Sequence, residues 1–336
     1  MERKLASIVK INDIQPIPNA DAIEVATVKG WKVVVKKGEF KVNDLAVYFE
    51  IDSFLPVRPE FEFLRKSCFR VFNGQEGFRL KTIKLRNQLS QGLLIPVENL
   101  VKDQYNIEVG DDLTDALGIV KYEQQIPAQL SGVIEGLFPS FIPKTDEERI
   151  QNILEDYRGE RVYITEKLDG TSFTCYYKDG KFGVCSRNYE LKESEDNTHW
   201  KVARHFNIKE KMEWLGKNIA LQGEIVGPGI QGNKYKLLSP TVFFFTGYNI
   251  DNRERITFNE LESIVIKFNC ELVPVLEYNM QLPTAPINLI EHMLNYAEGK
   301  SVLSSSTERE GVVVRGLDKV FSFKAISNKF LLKNEE

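Results

Sequence analysis

The chain has 336 residues, of which 42% are hydrophobic, and this is enough for two domains that each bury a core. Its formal net charge of -4 argues against a protein that holds nucleic acid over its whole surface by bulk attraction, so any such contact is expected to be local. The four scattered cysteines argue against a Cys-x-x-Cys zinc site, and no long apolar run could span a membrane, so we expect a cytoplasmic location and no membrane partner.

The first third of the sequence is typical of a small β-barrel. Strand-forming residues alternate with polar ones over 31–35 and 45–51, and turn signals separate these runs. A further strand pair is predicted over 78–86, which is basic because it contains Arg79, Lys81 and Lys84. Such a segment is typical either of a solvated face or of a surface that faces nucleic acid.

A change of pattern divides the chain. Prolines and glycines interrupt any long periodic element over 118–143, which predicts a linker between a first module at 1–117 and a second domain at 144–336. Thr145 and Glu148 have the spacing of a capping box, which predicts a helix at the start of the second domain with Arg149 in its first turns.

From Arg161 onward, predicted strands and helices intermix without strict alternation, which favours a mixed or antiparallel α+β domain. Strands are predicted over 162–166, 172–177, 182–186, 220–226, 242–248, 311–315 and 321–326. Helices are predicted over 200–206, 259–268 and 289–298, and Thr257 and Glu260 form a second capping box.

The first candidate for chemistry is Lys167, because Asp169 and Gly170 follow it at a predicted strand end. A lysine nucleophile must lose a proton that it keeps at an ordinary pKa of about 10.4, so a nearby cation, a dry pocket or a metal is expected to lower its pKa. Taken alone, a Lys-x-Asp-Gly turn is also common on surface hairpins.

Three more charged residues interrupt apolar strands of the same domain: Glu224, Glu310 and Lys324. A buried carboxylate is costly unless a cation or metal pairs with it. Each residue alone is also typical of a strand end. Together with Lys167, they predict a site for metal-assisted phosphoryl or nucleotidyl transfer.

Six short segments, in order, resemble the motif series of the covalent nucleotidyltransferases, the superfamily of RNA ligases, DNA ligases and messenger-RNA capping enzymes. They are 166–170, 186–188, 222–224, 243–248, 310–313 and 322–324. Ser172 stands where DNA ligases and capping enzymes usually carry arginine, so the RNA-ligase branch fits better. Segments 18–26 and 85–93 are similar to the N-terminal OB module of Deinococcus/Naegleria-type RNA ligases, which extends the resemblance over nearly the whole chain.

This resemblance implies an α+β protein in which an N-terminal OB-fold β-barrel precedes a mixed or antiparallel α+β nucleotidyltransferase domain. It implies an ATP-dependent RNA ligase that joins a 3′-hydroxyl to a 5′-phosphate through lysyl-AMP on Lys167. The implied cofactors are ATP and Mg²⁺ or Mn²⁺, and the implied partner is RNA, as a nicked duplex or as broken ends.

The resemblance also implies roles for individual residues. Asp169, Glu224 and Glu310 would orient the metal ion through water, and together with Lys167 and Lys324 they form the implied catalytic set. The nucleotide-binding residues implied are Glu166, Lys167, Gly170, Arg187, Asn188, Glu224, Phe244 and Lys324, with Phe244 preferred to Phe245 for stacking on adenine and Arg149 as a candidate phosphate contact. Many relatives have a second lysine where this chain has Ser322, which leaves the division of labour there open.

Two other functions fit less well. A DNA-sealing enzyme, or one that transfers a nucleotide from lysine to another acceptor, would keep the same chemistry, but Ser172 counts against it. A non-catalytic RNA-binding protein would explain the first module and leave the carboxylates and lysines of the second domain unexplained.

Overall fold

The computed structural model describes residues 4–101, 107–122, 134–153, 156–284 and 288–334. The chain forms two compact units. The first comprises Met1–Ile126, Ile150–Leu154 and Leu331–Glu336, and the second comprises Pro127–Arg149 and Glu155–Phe330.

Short antiparallel strands build the first unit. They are β1 (Ala6–Lys10), β2 (Asp13–Pro16), β3 (Ile23–Val28), β4 (Trp31–Lys36), β5 (Leu45–Phe49), β6 (Ser53–Pro56), β7 (Phe69–Phe72), β8 (Gln75–Arg79), β9 (Thr82–Leu85), β10 (Gln88–Gln91), β11 (Leu93–Pro96) and β12 (Val120–Lys121), with helix α1 (Arg65–Cys68). They pair in the orders β1-β5-β11, β2-β3-β4, β12-β6-β8-β7 and β9-β10. Phe49, Phe61 and Phe78 are fully buried between them.

The later segment Ile150–Leu154 belongs to this unit through side-chain hydrogen bonds. The indole of Trp31 donates to Asn152 over 2.7 Å, and the Asn152 amide donates to Glu50 over 2.6 Å. Trp31 and Glu50 are both buried, so each of these polar groups needs a partner.

Strands and helices of the second unit follow in mixed order. The strands are β13 (Ile134–Leu137), β14 (Glu148–Arg149), β15 (Arg161–Lys167), β16 (Thr171–Lys178), β17 (Lys181–Cys185), β18 (Tyr189–Leu191), β19 (Ile219–Val226), β20 (Thr241–Asn249), β21 (Glu254–Arg255), β22 (Glu271–Leu272), β23 (Val275–Gln281), β24 (Gly311–Gly316) and β25 (Ser322–Ile326). The helices are α2 (Thr198–His205), α3 (Ile208–Leu215), α4 (Phe258–Lys267) and α5 (Leu289–Ala297), and the last helix, α6 (Asn328–Asn334), begins in this unit and continues into the residues assigned to the first.

Two sheets organise the second unit. The larger runs β13-β18-β17-β16-β19-β20-β21, with β22 also on β20, and the smaller runs β14-β25-β24-β15-β23. Apolar side chains of α2, α3 and α4 pack on one face of the larger sheet, around Phe173 and Phe244. This leaves the other face of that sheet for polar residues such as Glu224, because successive strand residues point to opposite faces.

Most predicted elements of the second domain are confirmed. Each predicted strand corresponds to an observed one, and the helices predicted over 200–206, 259–268 and 289–298 are α2, α4 and α5. The Thr257 side chain accepts a hydrogen bond from the Glu260 amide over 3.2 Å, so the second capping box is also correct at the Thr257 end. Helices α3 and α6, strands β18 and β23 and the short strands β13, β14, β21 and β22 were not predicted.

The helix predicted after Thr145 is wrong. Glu148 and Arg149 form the short strand β14, which pairs in parallel with β25, and a 3-10 turn follows at Ile150–Asn152. Backbone pairing with a strand distant in sequence here outweighs the local capping signal.

Two other predictions change. The basic segment 78–86 contributes two strands, but they do not pair with each other: β8 pairs with β6 and β7, whereas β9 pairs with β10. The described parts of the predicted linker 118–143 contain β12 and β13, and residues 123–133 lie outside the described residues. The boundaries at 117 and 144 therefore stay a prediction.

No helix in the described part of the chain is long and apolar enough to cross a membrane.

Candidate functional site

One face of the smaller sheet of the second unit carries the predicted lysines. Lys167, at the end of β15, pairs with Gly311 on β24, and Lys324 on β25 pairs with Val313, which itself pairs with Thr165. Paired residues share a face and so do alternate residues along a strand, so Lys167 and Lys324 lie on the same face. Arg149 pairs with Lys324 from β14, which adds a third cation to this face.

The Lys167 amine forms an ion pair with Glu310, and the distance from Nζ to Oε1 is 2.6 Å. Burial acts to lower the pKa of Lys167, but the carboxylates of Glu310, Glu224 and Asp169 outweigh it and raise the pKa above its usual value. Burial thus acts in the expected direction and the carboxylates oppose it, and a pKa lowered by a metal ion stays a prediction. Activation of this amine requires that the negative charge of the surrounding carboxylates be neutralised.

Glu310 is partly buried, and only one of its two carboxylate oxygens has a hydrogen-bond partner among the described residues. Burial raises its pKa, although the amine of Lys167 acts in the opposite direction. Its second oxygen, Oε2, has no hydrogen-bond partner among the described residues. A buried carboxylate oxygen without a partner is costly, so this atom is suited to accept a ligand or a bound water.

Gly170 allows the turn after Lys167 to lie against β19. A Cβ atom at this position would be 2.3 Å from the backbone oxygen of Ile225 and 2.9 Å from Cγ of Glu224, so a side chain cannot fit. The Gly170 amide donates a hydrogen bond to the Glu224 carboxylate. Burial, together with the nearby charges of Glu310 and Asp169, nevertheless raises the pKa of Glu224 to about 8.

Asp169 is held by two residues that the sequence did not single out. Its backbone amide donates to the Tyr235 hydroxyl over 2.8 Å, and its carboxylate forms an ion pair with Lys234. Tyr235 is buried, and burial raises its pKa well above the usual range, so it stays a neutral phenol. Lys234 and Tyr235 lie in the glycine-containing loop 227–240, where no sequence pattern indicated them.

Glu166 points away from Lys167, as expected for its neighbour on a strand. It is buried, and its Oε2 accepts a hydrogen bond from the Val302 amide over 2.8 Å. Its other oxygen has no hydrogen-bond partner among the described residues, and burial raises the pKa of this carboxyl. The structure thus assigns Glu166 a contact with the loop after α5, and its nucleotide-binding role stays a prediction.

Arg187 and Asn188 lie in the turn between β17 and β18. The Arg187 guanidinium pairs with Asp146 at 2.8 Å, and the Asn188 side chain accepts from Lys144 over 2.9 Å. These contacts connect both side chains to residues 144–146. Their contacts with nucleotide stay a prediction.

The preference for Phe244 as the adenine-stacking residue is wrong. Phe244 pairs with Gly223, packs edge-on against Phe173 in the core beneath the helices, and has no exposed surface. Phe243 pairs with Glu224 and so shares its face, and the bulge beside it places Phe245 on that face as well. Phe245 is partly buried there, next to Leu168 and Tyr235.

A second group of charged residues lies beside Lys324, and no sequence pattern indicated it. Glu147 is buried and accepts a hydrogen bond from Ser322, and its carboxylate is 3.1 Å from the Arg315 guanidinium and 3.6 Å from Arg255. Arg315 in turn lies over the Phe245 ring, 5.6 Å from its centroid. Ser322 therefore donates a hydrogen bond to this buried network, which extends from β25 to Phe245.

The site as a whole combines a lysine at a strand end, three carboxylates around it and a second lysine on the same sheet face. Carboxylates of this kind suit a divalent ion, and lysine is a known nucleophile for covalent transfer. This arrangement defines the class of protein: a covalent nucleotidyltransferase that works through a lysine.

Comparisons with known proteins agree with that class. An OB-fold domain model matches residues 5–97, and an RNA ligase model matches residues 160–328. The structure is similar to Naegleria gruberi RNA ligase with PPi, with a TM-score of 0.91 and 44% identity over 99% of each chain. A lysine variant of that ligase with AMP and Mn gives a TM-score of 0.91 and 44% identity over 98% of each chain. Another lysine variant, with ATP and Mn, gives 0.91 and 43% over 98% of each chain.

No curated protein sequence matches the chain. The family model covers half of the chain and the similar structure covers nearly all of it, so the chain belongs to the RNA ligase family.

Family membership confirms the predictions made at the level of the whole chain. These are the resemblance to the Deinococcus/Naegleria-type ligases, the α+β fold with an OB-fold domain before the ligase domain, and the enzyme class of ATP-dependent RNA ligase. The roles of single residues stay predictions.

Proposed function

We propose that this RNA ligase joins RNA 3′-hydroxyl and 5′-phosphate ends through AMP carried covalently on Lys167. The observation that carries this assignment is the position of the Lys167 amine. It lies at the end of β15, 2.6 Å from Glu310 and on the same sheet face as Lys324.

The reaction then has three steps. Nζ of Lys167 attacks the α-phosphate of ATP, a nitrogen–phosphorus bond forms, and the bond to pyrophosphate breaks. AMP passes from Lys167 to an RNA 5′-phosphate, and the 3′-hydroxyl attacks that activated phosphate and expels AMP. Covalent transfer replaces one difficult step by easier ones, and alignment of the two RNA ends lowers the barrier further.

Glu310 lies where it can accept the proton that the Lys167 amine loses. Its Oε1 accepts a hydrogen bond from Nζ of Lys167, so the proton that the amine loses has an acceptor at hydrogen-bonding distance. The raised pKa of Glu310 improves its ability to hold that proton. Lys324 would balance negative charge on the α-phosphate from the same sheet face.

Asp169, Glu224 and Glu310 fit a divalent metal ion. Their oxygens are ligands that Mg²⁺ and Mn²⁺ prefer, and Oε2 of Glu310 lacks a partner among the described residues. The Glu224 pKa of about 8 reflects its burial first and then the neighbouring charges of Glu310 and Asp169. In the described part of the chain, no three acidic, histidine or cysteine side chains lie close enough to ligate an ion directly, so these carboxylates would hold it through water. When bound, the ion would neutralise phosphate charge and help the amine lose its proton.

Adenine would stack on Phe245, since this ring lies on the Glu224 face of the larger sheet. One side of the ring is already covered by Arg315, which leaves the other side for the base. Arg149, which pairs with Lys324 across the sheet, remains our candidate for a more distant phosphate of ATP.

The RNA substrate would be a nicked duplex or a pair of broken ends, gripped by the first unit. Lys84 and Arg86 are exposed on and just after β9, so the basic segment is accessible to a phosphate backbone. A cytoplasmic location stays our prediction.

Lysine adenylylation tests the covalent step. The protein is incubated with α-labelled ATP and Mn²⁺ and then separated under denaturing conditions. We expect label on the wild type and none on Lys167→Met. Lys319→Met is the matched control, because Lys319 is an exposed lysine that pairs with Glu160, and it should label normally. Label on Lys167→Met, or none on the wild type, would contradict the assignment.

Strand choice is tested with nicked duplexes that differ only in the 3′-hydroxyl strand, which is RNA in one and DNA in the other. We expect faster sealing of the RNA nick. Equal rates would exclude RNA specificity, and faster sealing of the DNA nick would favour a DNA-sealing enzyme.

A further inference from the structure

The loop between β19 and β20, residues 227–240, lies against the turn that follows Lys167. The Gln231 side chain donates to the Gly170 backbone oxygen over 3.5 Å, the Tyr235 hydroxyl accepts from the Asp169 amide, and Lys234 pairs with the Asp169 carboxylate. Three residues of this loop therefore contact two adjacent residues of the turn.

The loop is held in an unusual backbone conformation. Asn233 and Lys236, on either side of Lys234 and Tyr235, have φ angles of 49° and 57°, in the left-handed region. Such residues cost energy and persist only where their surroundings fix them. The position of Lys234 is thus specified by the fold.

Further contacts fix Lys234 itself. Its backbone oxygen accepts a hydrogen bond from the Thr307 hydroxyl over 2.6 Å, and its amine lies 4.9 Å from the centroid of the Phe330 ring. The side chains of Lys234 and Asp169 are 28% and 18% exposed, so their charges are only partly screened by water.

The charges around Lys167 fall into two ion pairs and one remaining carboxylate. Glu310 pairs with Lys167, Asp169 pairs with Lys234, and Glu224 accepts a hydrogen bond from the Gly170 amide. A divalent ion that enters between these carboxylates must compete with the two lysines, because every cation is attracted to the same oxygens and the cations repel one another.

We propose that Lys234 is a counter-ion that occupies Asp169 in the metal-free enzyme and yields it to the divalent ion, so that Lys234 opposes metal binding. This rests on the proposed function, since it takes Asp169 as a residue that orients the metal. The exchange leaves a second lysine amine beside the phosphates of ATP once the ion is in place. Lys234 would thereby reduce metal binding when the concentration of the divalent ion is low.

Manganese binding without ATP tests this proposal. Full-length protein is titrated with Mn²⁺ alone, and the free ion is measured by its electron paramagnetic resonance signal. Removal of one unit charge a few Å from a divalent ion in a solvated site is expected to tighten Mn²⁺ binding about 10-fold in Lys234→Met. Lys234→Arg, which keeps the charge, should bind like the wild type.

Lys236→Met is the matched control. Lys236 is an exposed lysine of the same loop, also in the left-handed region, and its loss should leave the Mn²⁺ affinity unchanged. Unchanged or weaker binding in Lys234→Met would overturn the proposal, because a lysine that merely orients Asp169 for the metal predicts weaker binding.

A double-mutant comparison isolates the pair. In an Asp169→Asn background, Lys234→Met should tighten Mn²⁺ binding by much less than in the wild type, whereas an equal gain in both backgrounds would show that Asp169 is not the residue involved. These titrations do not require lysyl-AMP. A protein that shows the predicted Mn²⁺ changes but never labels on Lys167 would contradict the proposed function and leave the counter-ion role intact.

Discussion

Replacement of Glu147 by glutamine should destabilise the second unit strongly at neutral pH. The Glu147 and Arg315 side chains are 7% and 6% exposed, so the substitution leaves a buried guanidinium without its carboxylate. Loss of one partner of a buried ion pair costs about 3–5 kcal/mol. The second cation, Arg255 at 3.6 Å, adds to the loss.

The pKa of Glu147 determines how the loss of stability in Glu147→Gln changes with pH. Burial acts to raise the pKa of Glu147, but Arg315, Arg255 and the Ser322 hydroxyl outweigh it and hold the pKa below its usual value. A carboxyl with a depressed pKa stabilises the fold above its unfolded pKa of about 4.3, and this contribution is lost as pH falls through the lower folded value. The difference between wild type and Glu147→Gln should therefore be largest near pH 7 and shrink below about pH 4.

Urea unfolding followed by tryptophan fluorescence measures this difference, because Trp200 and Trp214 lie in the second unit. Asp318→Asn is the control: Asp318 pairs with Arg161 at an exposed position, and its loss should change the unfolding free energy little. A deficit of Glu147→Gln that is equally large at pH 7 and pH 3 would refute the ion-pair explanation.

Three further outcomes are expected. Phe245→Ala should raise the KM for ATP in the adenylylation assay with little loss of stability. Phe244→Ala should instead lower the free energy of unfolding by about 3 kcal/mol or more, because its ring fills the core. The opposite pattern would contradict the choice of Phe245 as the adenine-stacking ring. Gly170→Ala should abolish label on the folded protein, as checked by circular dichroism, because its Cβ has no space against β19. Substitution of both Lys84 and Arg86 by alanine should weaken RNA binding and reduce its salt dependence while lysine labelling continues. If RNA binding and lysine labelling were lost together, the result would argue against RNA binding by the first unit.

The sequence by itself determined most of the longer strands and helices of the second domain and the order of the functional residues along the chain. Alternating strands such as β15, β19 and β24 are read from local periodicity, and Lys167, Glu224, Glu310 and Lys324 stand out because charge in an apolar strand is costly. The motif order was sufficient for the family, since it depends on residue types and their succession along the chain.

The tertiary structure decided which groups meet and which face each side chain takes. Phe244 and Phe245 are equivalent in the sequence, and only the register of β20 with β19, including its bulge, separates the core ring from the ring on the Glu224 face. Likewise, Arg149 belongs to a strand because β25 offers it a backbone partner 175 positions away.

The ion pairs belong wholly to the tertiary structure. Lys234 lies 65 residues from Asp169, and Arg315 lies 168 residues from Glu147. No local pattern marks such partners, because their attraction depends on distance and burial, which exist only after the strands have assembled. Burial acts to lower the pKa of Lys167, and this pKa is raised by Glu310 and Glu224, which are likewise distant in sequence.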